Sequence, residues 1–456
     1  MSPQVSASAK TKLRVAIVGA GPGGLTLAVA LSKFSDSKCP VVVDLYESQP
    51  QIGTVGAGLS VWPRTRAPLT ELGLMQHLQE EINGQAEDGD IGKVLVYRKS
   101  DEAQGYPVYQ MESADKPLLV HRSTFIHAIE KELPPSPLCT VHPSKRLSSL
   151  TQNDEGGLVT MYFADGSSAT ADVVIGADGI RSVVRTNMLS EDERVEPQWS
   201  GVTAYRALVT REMLEANGMG NHAIQAYPQM HCGRGRHLVT YPISRGECVN
   251  TVALVTRDDY CGKLKGKWVR DAPVEEMREA FAGWEPEVET LLQASGSPRC
   301  VEQCQAWALH VMLDLPRCAS GRVAILGDAM HAMETSIGAG AGQAIEDAYI
   351  LARLLTHSSI TRATIPLALQ AYNRSRLALT ADVVRQTHHA GRLFEFNEGP
   401  LPFEPANSAW QERWGQEVSQ VWDFQMHAGE AERCWKESEE YLRENLAEMW
   451  ASSDSE

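Results

Sequence analysis

The sequence holds no run of about 20 apolar residues, the length a helix needs to cross a bilayer, so no membrane span is expected. Its first twelve residues are polar and carry no apolar core, so no signal peptide is expected either. Cysteine is sparse, nine in 456 residues, odd in number and scattered. Cys300 and Cys304 stand close together, but no second pair at ligand spacing accompanies them. Neither a disulfide framework nor a metal site is therefore expected, and all nine read as reduced structural thiols in a cytoplasmic protein. Positive charge is also short: 42 Lys and Arg against 58 Asp and Glu leave a formal charge of −16. Such a surface repels phosphate backbones and anionic lipid, so neither nucleic acid nor a membrane is the expected partner. There is no internal repeat and no low-complexity linker.

What is present is enough chain for about two domains, with ordinary apolar content. The run LRVAIV at 13–18 is continuously apolar and stops at Gly19, as a buried parallel strand does. Helical composition follows over 22–34, then a second buried run, PVVVDLYE, at 40–47. Residues 65–80 and 123–132 read as helices, and 158–163 with 169–176 as a hairpin about Ala164-Asp165-Gly166. From about 200 to 256 the character changes: GVTAYRALV, NHAIQAYPQ, RHLVTYPIS and CVNTVALVT read as successive strands of an inserted sheet. Helix returns over 274–294, a further buried strand, RVAIL, ends at Gly327-Asp328, and 342–355 and 366–393 are helical. In the tail, Trp410 and Trp414 lie four apart on one helix face, which reads as a docking stripe.

Chemistry enters at Gly19-Ala20-Gly21-Pro22-Gly23-Gly24, a G-x-G-x-x-G between a buried strand and a helix. Gly19 suits the tight turn, Gly21 a close approach to a pyrophosphate, and Gly24 close packing of helix on strand. The helix N-terminus presents free N–H groups to phosphate. Glu47, ending the second strand, stands where an acid accepts from ribose hydroxyls. No second complete fingerprint follows a strand, so one resident dinucleotide is expected.

Four separated motifs carry a resemblance. They are GAGPGG with Glu47; Arg122 in VHRST; Gly176 to Arg185, GADGIRSVVR, with Asp178; and Gly327-Asp328-Ala329-Met330-His331 followed by Gly338 to Ala341 and Glu346-Asp347. In this order they resemble the FAD-dependent aromatic-ring monooxygenases of the salicylate-hydroxylase and para-hydroxybenzoate-hydroxylase type. The resemblance implies an α/β fold: a Rossmann-like FAD-binding domain over 1–190 and 300–393, an inserted mixed or antiparallel sheet domain over 191–299, and a helical tail over 394–456. It implies non-covalent FAD, contacted by Gly19, Gly21, Gly24, Glu47, Gly58, Ser60, Arg122, Asp178, Asp328, Gly340 and Ala341, with NADPH or NADH as transient reductant. Asp328 at a strand's C-terminal edge is placed to accept from ribityl hydroxyls, and the N–H groups before the helix at 342 to face the flavin N1/O2 edge. The segment Gly56-Ala57-Gly58-Leu59-Ser60 resembles the one that lies along the flavin. The chain departs from the family at two points. Ala332 and Thr335 replace the prolines of His-Pro-x-x-Pro, and Arg64 follows Pro63 where asparagine is common.

For the substrate, Arg206 and Tyr241 in the inserted sheet resemble a pair that holds a phenolate. An arginine fork can pair with a phenolate or carboxylate in a dry pocket, and a tyrosine can donate a second bond. The implied reaction takes a small aromatic substrate, O₂ and NAD(P)H, and hydroxylates a phenol or hydroxybenzoate through a flavin C4a-hydroperoxide, with decarboxylation where the attacked carbon bears a carboxylate. An FAD epoxidase acting on an alkene and a flavin oxidase that adds no oxygen remain as alternatives, and the protein is expected as a monomer or homodimer. His331 reads more simply as a helix-start hydrogen bond than as a base.

Overall fold

Apolar residues at nearly every position of Leu13–Val18 mark a strand covered on both faces, and this one is the heart of a six-stranded sheet. The computed structural model describes residues 11–53, 58–82, 92–152, 157–220, 224, 226–257, 264, 266–295, 303–397 and 408–453. Leu13–Val18 pairs in parallel with Val41–Tyr46 on one side and Val173–Gly176 on the other. Cys139–His142 extends the sheet beyond Val41–Tyr46, and Val323–Ile325 beyond Val173–Gly176, both in parallel. The helix Pro22–Phe34 starts with proline at its first turn, where no N–H is needed. It packs against the helix Gly340–Thr356, and Gly23 permits the approach: a side chain there would begin 3.1 Å from Ala344 Cβ on that helix.

The second layer is an eight-stranded mixed sheet. Gln198–Thr210, Cys248–Thr256, Arg236–Ile243 and Gln229–Gly233 form its antiparallel middle. It reaches further in sequence than 191–299. Gly92–Lys99 adds in parallel to Gln229–Gly233 and brings Tyr106–Ser113 with it, while Gln303–Val311 adds at the other side. Alternation sorts its residues. Tyr205, Val209, Leu238 and Ala253 face outward under the helices Arg211–Ala216, Val274–Ala280 and Pro286–Ala294. Val202, Ala204, Val252, Leu254 and Leu309 form a separate apolar patch on the opposite face, with Trp307 packed against it.

Local sequence was read too coarsely in three places. The helix expected over 65–80 is two, Pro63–Glu71 and Leu74–Ile82, broken where Gly73 takes φ +79°. The helix expected over 274–294 is likewise two, broken at Gly283 with φ +81°. The expected hairpin strand 169–176 divides. Ser168–Ala171 completes the hairpin with Val159–Phe163, whereas Val173–Gly176 leaves it for the parallel sheet, because one short apolar run serves two sheets. Most of NHAIQAY and the residues Gly56, Ala57, Cys261 and Cys300 lie outside the described residues. Among the described residues, seven cysteines are free, five of them buried, and no helix is long and apolar enough to cross a membrane.

The tail forms two helices, Ser408–Met426 and Glu430–Ser453. Trp410, Trp414 and Trp422 are buried with Trp62, Tyr97 and Phe394, so the stripe does dock its helix.

Candidate active site

The turn after the first strand has the geometry its glycines require. Gly19 has φ +107°, and a side chain there would begin 2.3 Å from Ala177 O. At Gly24 it would begin 2.0 Å from Gly19 O. Gly21 differs: a side chain would meet nothing within 4 Å, so this N–H edge is open for a ligand to lie against. Glu47 closes the turn. Its Oε2 accepts from Ala20 N at 3.0 Å and its Oε1 from Gln49 N at 2.8 Å.

The Asp178 motif is built around a helix start. Asp178 accepts from Ser182 Oγ at 2.5 Å, Val183 N at 2.7 Å and Val184 N at 3.1 Å. Burial pushes its carboxyl up, and these hydrogen bonds oppose that. Buried Arg185 then donates to Ile180 O and Ala329 O, both at 2.8 Å, which ties this motif to the Gly327-Asp328 motif. Asp328 begins the short helix Asp328–His331 at the C-terminal edge of Val323–Ile325. Its three companions are buried, while Asp328 itself is exposed. Gly340 and Ala341 open the 17-residue helix Gly340–Thr356 and are half-buried, with no side-chain cap on that helix start.

The sheet forms the opposite wall. Gly58 starts the strand Gly58–Val61 directly beneath Tyr241: a side chain on Gly58 would begin 2.5 Å from Tyr241 Cε2 and 2.7 Å from its hydroxyl. Gly58 N donates to Oδ1 of the fully buried Asn250 at 3.3 Å. Ser60, on the same strand, lies beside exposed Gly338. Arg206 lies within electrostatic reach of Tyr241, Arg122 and Asp328, so two walls converge on one space. Its guanidinium sits 4.9 Å from the Trp307 ring centroid, and its Nε is buried with no hydrogen-bond partner. Burial lowers its pKa, but an arginine stays charged. Burial likewise pushes the Tyr241 phenol far above its ordinary range, against the pull of Arg206, so Tyr241 is a donor at neutral pH. Arg122 is the first residue of the helix Arg122–Lys131.

Gly19, Gly21, Gly24, Asp328, Gly340 and Ala341 thus stand at turns and helix starts of the parallel-sheet half, with Glu47 and Asp178 securing those turns, while Gly58 is brought against Tyr241 from the mixed sheet. Sequence reasoning missed how the motif residues below the walls connect. Arg64 donates to Glu346 at 2.5 and 2.9 Å, Arg376 donates to Glu346 at 3.1 Å and to Asp347 at 2.8 Å, and Asp347 meets His331 Nε2 at 2.7 Å and Gly327 N at 3.0 Å. Each of the five side chains is at most 2% exposed. Asp347 thus holds the turn before Asp328, and His331, the last residue of its short helix, supports Asp347 and does not cap a helix start. An acidic pair inside the apolar run of Gly340–Thr356 was the available signal, because buried acids demand cations. Between the two positions that replace prolines, Glu334 is buried against His388 at 3.0 Å, while Thr335 is exposed.

Residues 12–387 match the model of the FAD-binding domain family. The chain belongs to the FAD-dependent aromatic-ring monooxygenases. It is 36% identical over 401 residues to a salicylate hydroxylase of Pseudomonas putida, covering 85% of this chain and 87% of that one. It is 32% identical over 432 residues to 6-methylsalicylate 1-monooxygenase of Aspergillus terreus, covering 91% and 90%. A solved salicylate hydroxylase in substrate complex superposes with a TM-score of 0.76 at 30% identity, over 93% of this chain and 98% of that one. The protein is therefore an FAD-dependent monooxygenase, a flavoprotein oxidoreductase with the α/β architecture expected from its sequence.

Proposed function

We propose that this monooxygenase hydroxylates a small phenolic or hydroxybenzoate-type aromatic, using NADH or NADPH as reductant and O₂ as oxidant. The supporting observation is Arg206, a half-buried cation whose Nε is buried and unpartnered, set beside the tyrosine donor that contacts Gly58. A buried charge is stable only when something answers it. Trp307 answers part through its ring face. An anionic ring substituent, phenolate or carboxylate, would answer the rest with the planar fork that guanidinium offers. The salicylate and methylsalicylate relatives are named for substrates of that charge.

In this reading the open edge at Gly21 and the helix start behind it would receive the pyrophosphate. Gly19, whose N–H is donated to Tyr46 O, and Gly24 would shape the turn, Glu47 would take ribose hydroxyls, and Asp328 the ribityl chain. Gly58, Ser60, Gly340 and Ala341 would lie along the isoalloxazine, Arg122 would reach the cofactor from the helix start, and Asp178 would keep its own Gly176–Arg185 motif in place. FAD supplies the oxygen activation. The protein contributes the rest. Arg206 and Tyr241 hold the substrate oxygen and stabilise its anionic form, which makes the ring carbon a better nucleophile. The apolar face of Val202, Ala204, Val252, Leu254 and Leu309 keeps water from the ring. A carboxylate on the attacked carbon would leave as CO₂.

The test is NAD(P)H oxidation by the yellow protein across phenols, salicylates and hydroxybenzoates, with product mass and H₂O₂ recorded. The expected result is that an anionic aromatic accelerates oxidation and gains one oxygen. Peroxide alone with every ring compound would overturn the substrate class and favour an oxidase or an alkene epoxidase.

A further inference from the structure

The helix Ser408–Met426 lies beyond residue 387, where the family match ends, yet it touches both walls of the cofactor site. Gln425, buried, donates from Nε2 to Ile337 O at 2.9 Å. Ile337 belongs to the loop 332–339, which runs straight into Gly340 and Ala341. Trp422 packs on Trp62 with ring centroids 4.5 Å apart, and Trp62 follows the strand Gly58–Val61. The Trp62 Nε1 in turn lies 3.3 Å from where a side chain on Gly338 would begin. Between these two residues of the helix, the Phe424 ring receives the Arg64 guanidinium at 3.9 Å.

The loop is anchored at its ends and at Glu334, which meets His388 at 3.0 Å, while Ala339 O accepts from Gln343 N at 3.0 Å. Gly338 N donates to Thr335 O at 3.1 Å, and Met312 N donates to Ala332 O at 2.8 Å. No proline lies between 332 and 339 to fix the backbone. The Ile337 carbonyl is thus held by a side chain from the tail. A buried carbonyl robbed of its donor is costly, and a loop relieves that cost by moving.

We propose that this tail helix is a working part of the flavin site, with Gln425 as a positioning residue. Through the Ile337 carbonyl it sets the position of loop 332–339, and with it the N–H groups of Gly340 and Ala341 that lie along the isoalloxazine. Trp422, through Trp62, fixes the facing strand in the same register. The inference rests on the FAD site and is independent of the substrate class.

The experiment compares full-length wild type with Gln425→Leu, and with Gln420→Ala on the exposed side of the same helix as control. Three quantities are read: FAD dissociation constant, absorption spectrum and reduction potential of the bound flavin, and melting temperature of the apoprotein. Gln425→Leu should weaken FAD about tenfold and shift the flavin band and potential, while the apoprotein melts near wild type and Gln420→Ala changes nothing. Unchanged flavin spectrum, potential and affinity would overturn the proposal, as would a loss confined to apoprotein melting. Should Gln425→Leu not fold, Gln425→Asn, which keeps the donor on a shorter stem, is judged by the same readouts. An aromatic panel that fails to stimulate NAD(P)H oxidation leaves these flavin readouts intact, so the two readings fail separately.

Discussion

Two groups of polar residues meet at the short helix Asp328–His331, one fully buried and one not, and they are wired in opposite ways. Below it, Arg64, Glu346, Arg376, Asp347 and His331 form a chain in which each charge meets an opposite one. Above it, Arg206 keeps an unpartnered Nε, Tyr241 stands against Gly58, and Asp328 shows an exposed carboxylate. The whole first group and the Arg206 Nε of the second are held away from bulk water, which is expensive. The first offsets that cost internally and so holds the fold. The second leaves part of it uncompensated, which is the pattern of a site that a ligand completes.

The largest effect should come from breaking the paired group. Arg376→Met leaves Glu346 and Asp347 buried with one cation fewer, which costs about 3–5 kcal/mol when a buried pair loses a partner. Denaturant unfolding should show a large drop in midpoint. An unchanged midpoint would mean that Arg64 and His331 alone neutralise both acids, and that the pairing argument is wrong.

In the unpaired group the same kind of change should act on binding instead. Arg206→Ala should weaken an anionic aromatic about 100-fold, near 2.7 kcal/mol, and divert NAD(P)H oxidation toward H₂O₂. FAD affinity and unfolding midpoint should stay close to wild type. If Arg206→Ala destabilises as Arg376→Met does, Arg206 is part of the scaffold and the contrast collapses.

Acid separates the groups on a third axis. Burial pushes the Asp347 carboxyl up, but Arg376 and His331 overrule it and hold it at about 2. Glu285, buried in the sheet domain, is likewise held at about 2 by His231, Arg98 and Ser100 against burial. Both values lie below the ordinary carboxylate range of about 4. Their stabilisation is therefore fully present above that range and is lost as pH falls from about 4 through 2, by about 2–3 kcal/mol each. Unfolding midpoints should be flat near neutrality and fall in acid. Arg206→Ala should trace the same limb as wild type; a changed limb would show that the two groups are electrostatically coupled.

The first group shows where sequence reading ran out. The glycine turn, Glu47 and the Asp178 and Asp328 motifs were legible because each is a local pattern with a local mechanism: strand, turn, helix start. Arg64 and Arg376 were not, because each answers an acid some 280 or 30 positions away, and no periodicity encodes that pairing. The strands 92–99 and 106–113 were missed for a related reason, since they join a sheet whose other strands begin only at Gln198, with Gln229–Gly233 as their partner. Breaks at Gly73 and Gly283 hid inside helical composition, which an isolated glycine does not interrupt by itself.

The smallest change probes how rigidly the unpaired group is held. Gly58→Ala adds one methyl group, yet that carbon would begin 2.5 Å from Tyr241 Cε2, well inside contact distance. Asn250 anchors Gly58 from the sheet side through the 3.3 Å bond to its N–H, so the strand cannot easily recede. The Tyr241 ring must swing instead and carry its hydroxyl away from Arg206. One hydrogen bond to the substrate should be lost, about 1 kcal/mol, seen as a several-fold rise in KM for the aromatic with the FAD dissociation constant little changed. Tyr241→Phe, which removes only the hydroxyl, should match that rise. If Gly58→Ala instead weakens FAD and leaves the aromatic KM alone, the strand yields rather than the ring. The contact between Tyr241 and Gly58 would then serve the cofactor wall and not the substrate.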